Sequence, residues 1–295
     1  MKRAALCILV ALLFPCGVLA QTDEDYAGAM AEVRAEREER LRSPTGWLTL
    51  AGLFWLSPGE NRFGSDPENS IALSVEGVPP WAGTFVYDGE TVTLQTAPDA
   101  EILLNDKPVE RRKLRDDGDE EPDVLTLGRL RLYVIERGDR HGVRVKDPES
   151  VRLTEFRGLN YFPLDPAYRF DAVLKPYDEP REVKIATVIG TTLTMLAPGS
   201  VEFTIDGETH SLQPVVSDPD DTSLWFIFQD LTSGKETYGF RYLYADLVDG
   251  RVDLDLNNAQ NPPCAFTPYA TCPLPQRENR LDVRIEAGER IHIGH

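Results

Sequence analysis

The 295 residues carry 49 acidic against 31 basic side chains, a formal net charge of −18. That balance excludes nucleic acid and anionic membrane surfaces as expected partners. The length allows one large or two ordinary domains, each able to bury a core.

Lys2-Arg3, an apolar run from Ala4 to Phe14, and Val18-Leu19-Ala20 before Gln21 read as a secretory signal peptide over residues 1–20. The run is too short to span a bilayer, so no stable membrane insertion is expected after cleavage. Cys16 lacks the preceding small residues of a lipoprotein signal. Loss of Cys7 and Cys16 leaves Cys264 and Cys272 in an exported chain, periplasmic or extracellular. A disulfide between them is expected in an oxidising compartment; a free nucleophilic thiol and half a metal site are the alternatives.

Residues 21–43 read as a helix capped by Thr22 or Asp23, with Glu36–Arg40 and Glu38–Arg42 at i,i+4. Tyr26, Met30, Val33 and Leu41 form a thin apolar stripe that docks on the body, and Ser43-Pro44 stops the helix. The apolar run from Gly46 to Leu56 reads as buried strand. From there to Asp147 short strands recur between Pro-Gly, Asp-Gly and Asn-Asp turns, the pattern of a β-sandwich over residues 44–147.

The segments at Leu56–Gly64, Asn69–Leu73, Gly83–Val86, Thr91–Leu94, Ile102–Asp106 and Leu125–Gly128 resemble, in order and spacing, a forkhead-associated (FHA) sandwich. The resemblance implies a phosphothreonine-reading fold. The residues that such domains use are mostly replaced. Ser65 stands where an arginine is expected, no Ser-Arg-x-His motif lies near Gly83-Thr84, and Asn105 alone matches.

The acidic run Asp116–Asp123 lacks the alternating ligands and terminal Glu of an EF-hand. It reads as a solvated hairpin tip, as does Ser217–Asp221. Arg140–Asp147 marks the junction between halves, and the aromatic, Pro-broken Phe156–Phe170 suits an interdomain or pocket-rim segment. Strands follow at Val183–Ile189, Thr191–Leu196, Val201–Ile205, Leu212–Val216 and Leu224–Gln229, with a last one at Leu281–Ile285. The expected fold class is therefore mainly β: an N-terminal helix, then two antiparallel sandwich or barrel-like domains, the second over 148–295.

Asp249-Gly250 signals a two-residue type I′ hairpin turn. Closing it pairs Val248 with Arg251 and Leu247 with Val252, and, carried outward, Tyr244 with Asp255 and Tyr242 with Asn257. One face then carries Tyr242, Tyr244, Asp246, Asp253, Asp255 and Asn257; the other carries Leu243, Ala245, Leu254 and Leu256. The polar face reads either as solvated sheet or as a pocket floor, with Asp253 and Asp255 roughly 6–7 Å apart by strand rise, a separation that suits paired acid–base work. Arg241 lies beside the apolar face, where a guanidinium needs a carboxylate or carbonyls, and reads as a structural anchor rather than an anion contact. Asn257, Asn258 and Asn261, ahead of Pro262-Pro263-Cys264, suit either loop capping or ligand contact.

The pattern Leu254, Asp255, Asn257, Ala259, Asn261, Pro262, Cys264, Ala265, Phe266, Tyr269, Cys272, Pro273, Leu274, Pro275, Asn279 and Arg280 resembles an uncharacterised bacterial family, DUF1684. Phe240–Leu243 and Gly288-Glu289 fit it too, although the family usually has Gly at position 240 and an aromatic at 256. The resemblance covers roughly residues 140–295 and implies no known reaction. Arg241, Tyr242, Tyr244, Asp253, Asp255, Asn257, Asn261, Tyr269 and Asn279 are the candidate ligand contacts.

No H-E-x-x-H pair, G-x-S-x-G elbow, phosphate loop or zinc spacing occurs, so no metal or cofactor is expected. The readings in play are an exported ligand-binding or scaffold protein, a hydrolase using Asp253 or Asp255, and an interaction module acting through the N-terminal sandwich. The partner is an unidentified small molecule or protein.

Overall fold

The structure, a computed structural model, describes residues 23–292; the signal-peptide reading with Cys7 and Cys16 and the Thr22 cap lie outside the described residues. Turn chemistry cuts the first half into short strands: β1 (Leu50–Trp55), β2 (Gly59–Gly64), β3 (Ile71–Ala72), β4 (Gly83–Tyr87), β5 (Val92–Thr96) and β6 (Leu103–Leu104). There follow β7 (Lys107–Pro108), β8 (Arg111–Leu114), β9 (Leu125–Leu127), β10 (Leu130–Arg137) and β11 (Arg140–Lys146). They form two sheets, ordered β1-β11-β10-β9-β6-β7 and β3-β2-β4-β5-β8. Alternation along β10 and β11 sends Leu132, Val134, Val143 and Val145 between the sheets against Phe63, Phe85 and Leu94. The Phe63 and Phe85 rings stack at 4.5 Å there. Asn105 sits with Asp106 in the β6–β7 turn, both at positive φ (51° and 60°), and is exposed. The run expected as strand from Gly46 begins instead as a 3₁₀ turn, Trp47–Thr49. Thr49 stabilises that turn by donating its hydroxyl to the Gly46 carbonyl at 2.7 Å.

Helix α1 (Asp23–Arg42) docks through Tyr26, Met30 and Leu41, all buried, whereas Val33 is 43% exposed. The docking face runs 26, 30, 34, 37, 41, so Arg34 and Arg37 occupy the middle of it. The Glu36–Arg40 and Glu38–Arg42 pairs form on the surface at 3.7 and 3.9 Å. They contribute only a few tenths of a kcal/mol each. Among the described residues no helix is long and apolar enough to cross a membrane.

After the short helix α2 (Val151–Glu155), whose first turn Ser150 caps through the Leu153 N–H, the second half is a single curved antiparallel sheet. Its strands are β12 (Arg169–Ala186), β13 (Thr192–Ile205), β14 (Glu208–Leu212), β15 (Ser223–Phe228), β16 (Arg241–Val248) and β17 (Arg251–Asp255), ordered β14-β13-β12-β17-β16-β15. The strands expected separately at 191–196 and 201–205 are one strand. β12 serves two partners, β17 through Arg169–Val173 and β13 from Leu174 on, with a register break between Pro176 and Arg181. A bulge of this kind bends a long strand and lets the sheet curl. The concave core holds Phe203, Phe226, Phe228, Leu243 and Leu254; Ile185, Met195, Ile227 and Tyr242 form a second cluster on the other face. Leu281–Ile285 is not a strand. The β15 edge turns away at Asp230, leaving one parallel bridge, Gln229–Arg280, and a Leu231 N–H to Val283 carbonyl bond at 3.0 Å.

The Asp249-Gly250 turn has both residues at positive φ (51° and 76°), and Val248–Arg251 and Leu247–Val252 pair as expected. Farther out the hairpin opens. β17 ends in a 3₁₀ turn, Leu256–Asn258, because the Asp255 carboxylate accepts the Asn257 N–H at 3.0 Å. Tyr242 therefore meets Gln260, not Asn257. That divergence makes room beneath α1.

Candidate functional site

The residues of the opened hairpin separate into anchors and lining. Arg241 is wholly buried, its guanidinium paired with Asp230 and donating to the carbonyls of Ala287 and Ile285, the latter at 3.1 Å. It holds the C-terminal segment onto the sheet and is out of reach of any ligand. Asn279 is a second clamp, accepting the Gln213 N–H at 2.7 Å and donating to the carbonyls of Gln213 and Ile227. Tyr269 is half-buried beneath the Arg152 guanidinium, 5.3 Å from the ring centroid.

Asp253 and Asp255 do not share a pocket. Asp253 is exposed and held by Arg169 in two bonds of 2.9 and 2.7 Å. Asp255 is 5% exposed beneath α1, accepting from the Tyr26 hydroxyl at 2.8 Å and from the Asn257 backbone and side chain at 3.0 Å each. With both of its oxygens occupied by donors, Asp255 is the point at which α1 is fastened to the sheet. Asn257 completes that junction by donating to the Asp165 carbonyl at 2.8 Å.

Burial holds the Tyr26 and Tyr242 phenols well above the usual tyrosine range, Tyr26 with the further help of Asp255. In an unfolded chain they ionise near pH 10. The folded state keeps protons that the unfolded state releases, so stability is expected to be level below that pH and to fall as pH rises through it. Urea unfolding of Tyr26→Phe at pH 7 is expected to cost about 1–3 kcal/mol for the lost buried bond, with a shallower alkaline decline than the parent chain. An unchanged midpoint would refute the role given to the Tyr26–Asp255 contact.

Tyr242, Tyr244 and Asn261 do come together, in the wall of a cavity of about 260 Å³ between the Pro-rich loop and the first sandwich. The loop contributes Gln260, Pro263 and Ala270–Pro273, and the sandwich contributes Arg137 and Arg144 from the outer face of its β10–β11 hairpin. Trp47 and Arg37 complete the wall. Trp225 lies flat against Tyr244, ring centroids 5.9 Å apart, and edge-on to Tyr242 at 5.0 Å. Cys264 and Cys272, with Cα atoms 6.3 Å apart, are within bridging distance at the two sides of the loop that presents Thr271.

Charge in this cleft is the reverse of the chain's. Among the described residues no Asp or Glu lines it, and three guanidinium groups do. Arg37 is balanced by Glu289 at 2.9 Å. Arg137 grips Asp117 at 2.9 and 2.6 Å. Arg144, 4% exposed, has Asp117 only at 3.9 Å; its Nη2 donates to the Thr271 hydroxyl at 3.0 Å, and its Nε has no hydrogen-bond partner among the described residues. Burial draws the Arg144 pKa down, and burial together with the Arg144 charge draws the nearby Lys146 ammonium down to about 8. A buried cation is thus held beside aromatic rings with one donor left over.

A second cavity of about 270 Å³ lies beneath α1 on the other side of Arg37 and shares Arg37, Tyr244 and Gln260 with the first. Arg34, over the Tyr161 ring at 4.2 Å, and Asn257 line it, so the segment expected as a pocket rim is one at Tyr161.

Arg34, Arg37, Arg137 and Arg144 were not among the sequence candidates. The available signal was in the strand pattern: Arg144 is a charge flanked by Val143 and Val145 in a strand whose other face is core, and Arg34 and Arg37 interrupt an apolar helix stripe. The acidic run 116–123 also differs from expectation. Asp123 is 2% exposed and takes two bonds from the Arg115 guanidinium, at 3.2 and 3.0 Å, while Asp117 turns toward Arg137 without lining the cleft. Arginines from neighbouring segments draw those carboxylates inward.

Residues 154–290 match a family described as a protein of unknown function (DUF1684), taking in β12–β17 and the loop. No curated protein matches the chain. Among solved structures, an uncharacterised protein of Haloarcula marismortui is 32% identical, covers 48% of this chain and 80% of its own, and superposes with a TM-score of 0.39. An FHA domain from a study of phosphothreonine-dependent interactions is 20% identical over 32% of this chain and 92% of its own, TM-score 0.24. Mycobacterium tuberculosis EmbR, solved with a low-affinity phosphopeptide, is 14% identical over 42% of this chain and 31% of its own, TM-score 0.23. By the match over 154–290 and the 32% identity to a relative of which it spans 80%, this chain belongs to the DUF1684 family of unknown function.

Proposed function

We propose that this protein binds a small organic anion in the cleft between the sandwich and the Pro-rich loop. The carrying observation is Arg144, buried and flanked by Arg137, its Nε without a hydrogen-bond partner and its cavity without a lining carboxylate among the described residues, although acidic side chains outnumber basic ones by 49 to 31. The ligand's anionic group pairs with Arg144 and the Thr271 hydroxyl, and its body lies against Trp225 and Tyr244. A guanidinium suits a carboxylate or phosphate through two parallel donors, and low local dielectric strengthens that pairing. The cavity's size restricts the ligand to a small one. Thermal-shift screening of the whole chain against small carboxylates and phosphates, with neutral amides of the same shape as controls, tests the reading. Stabilisation by acids but not by their amides is the expected result; equal response to both, or to neither, counts against it.

The protein works outside the cytoplasm in this reading, with Cys264 and Cys272 joined. The signal-like N-terminal sequence and the 6.3 Å Cα separation support that. Ellman titration of the exported, unreduced protein is expected to find no reactive thiol, and about two per chain after denaturation and reduction. Thiol detected before reduction would remove the bridge.

A further inference from the structure

The core-facing side of the first sandwich ends, at the tip of the β10–β11 hairpin, in charge rather than hydrocarbon. Register sets Glu136 directly opposite His141, two residues beyond the buried Val134–Val143 pair on the same face. Asp116, from the β8–β9 connection, reaches the same point, and one ligand atom from each of the three lies within 4.8 Å of the others. The His141 side chain is 7% exposed.

The hydrogen bonding decides which nitrogen is available. The Tyr87 hydroxyl donates to the Gly89 carbonyl at 2.9 Å. Toward the His141 Nδ1, 3.1 Å away, that oxygen is therefore an acceptor, and Nδ1 carries the proton. The neutral ring then turns its Nε2 lone pair to the carboxylates, the nearest Asp116 oxygen lying at 3.8 Å. That is too long for a hydrogen bond. Three acceptors converge with no donor between them among the described residues, and a cation held in common relieves that. A metal-bound imidazole usually donates its other ring N–H to a fixed oxygen acceptor, and the Tyr87 hydroxyl oxygen supplies one here.

We propose that Asp116, Glu136 and His141 bind a divalent transition metal, with Zn²⁺ and Mn²⁺ the chemistries that imidazole plus carboxylates favour. Ligand bonds of about 2.0–2.2 Å require the three atoms to draw together, and Glu136, exposed at the hairpin tip, has the freedom to close. The site opens on a cavity of about 610 Å³, which provides the route in. Arg112 and Arg115 in that wall are taken up by Asp123. The competing occupant is a proton on Nε2, which makes an ordinary His141–Asp116 ion pair. The site is independent of the anion cleft, since Asp117, Arg137 and Arg144 point to the opposite side of the same segments.

The test is titration of the untagged full chain with Zn²⁺ and Mn²⁺ by calorimetry and with Co²⁺ by visible absorption. One metal per chain is expected, with Co²⁺ ligand-field bands. Glu136→Gln and Asp116→Asn should each weaken binding by at least about tenfold while leaving the melting temperature of the metal-free chain near that of the parent. No uptake by the parent chain, as the proton-bridged pair alone predicts, overturns the proposal; so does uptake that Glu136→Gln and Asp116→Asn leave unchanged.

Discussion

Arg241→Ala is expected to destabilise the protein by about 3–5 kcal/mol, the cost of leaving a buried charge without its partner. Asp230, whose side chain is fully buried, would keep only the Thr232 N–H and hydroxyl, both at 2.6 Å. The carbonyls of Ala287 and Ile285 would lose their donor as well. Because those two carbonyls belong to the segment that crosses the concave core, the damage spreads beyond one pair. Denaturant unfolding gives the number, and the cycle with Asp230→Asn separates the pair from the desolvated remainder: Arg241→Met with Asp230→Asn should cost less than the two single changes added together. A loss below about 1 kcal/mol, the range of exposed pairs, would mean that Arg241 is not the anchor described.

Arg144→Gln is expected to weaken binding of whichever small acid stabilises the parent chain by about a hundredfold or more, or about 3 kcal/mol. The folded state should be little affected, since Asp117 keeps its two bonds to Arg137. Arg144→Lys retains the charge without the planar fork and should fall between the two. A structural role alone would lower stability and leave affinity unchanged, so the two readouts distinguish the cases. Undiminished affinity in Arg144→Gln would end the assignment of the cleft as the binding site.

Much of the architecture can be read from short-range pattern. The Asp249-Gly250 turn, the apolar set Leu243, Ala245, Leu254 and Leu256, and the helix ending at Ser43-Pro44 all follow from turn chemistry and periodicity, which act over a few residues. The carboxylates at 253 and 255 show the limit of that method. Strand alternation puts them on one face, yet the Tyr26 hydroxyl, contributed from 229 residues away, buries one while Arg169 holds the other in solvent.

What the sequence determined by itself is the strand content, the two-part β organisation, the family pattern from Leu254 to Arg280, and Arg241 as a charge that must be paired inside. Only the tertiary structure decided where a ligand could sit. The cleft is made of Arg37 on the helix, Arg137 and Arg144 on the sandwich, and Tyr242, Tyr244 and Thr271 on the second half. None of those segments marks a site alone. Local propensity and alternation specify each element, but the excess positive charge arises only when packing removes water from arginines that three distant segments bring together.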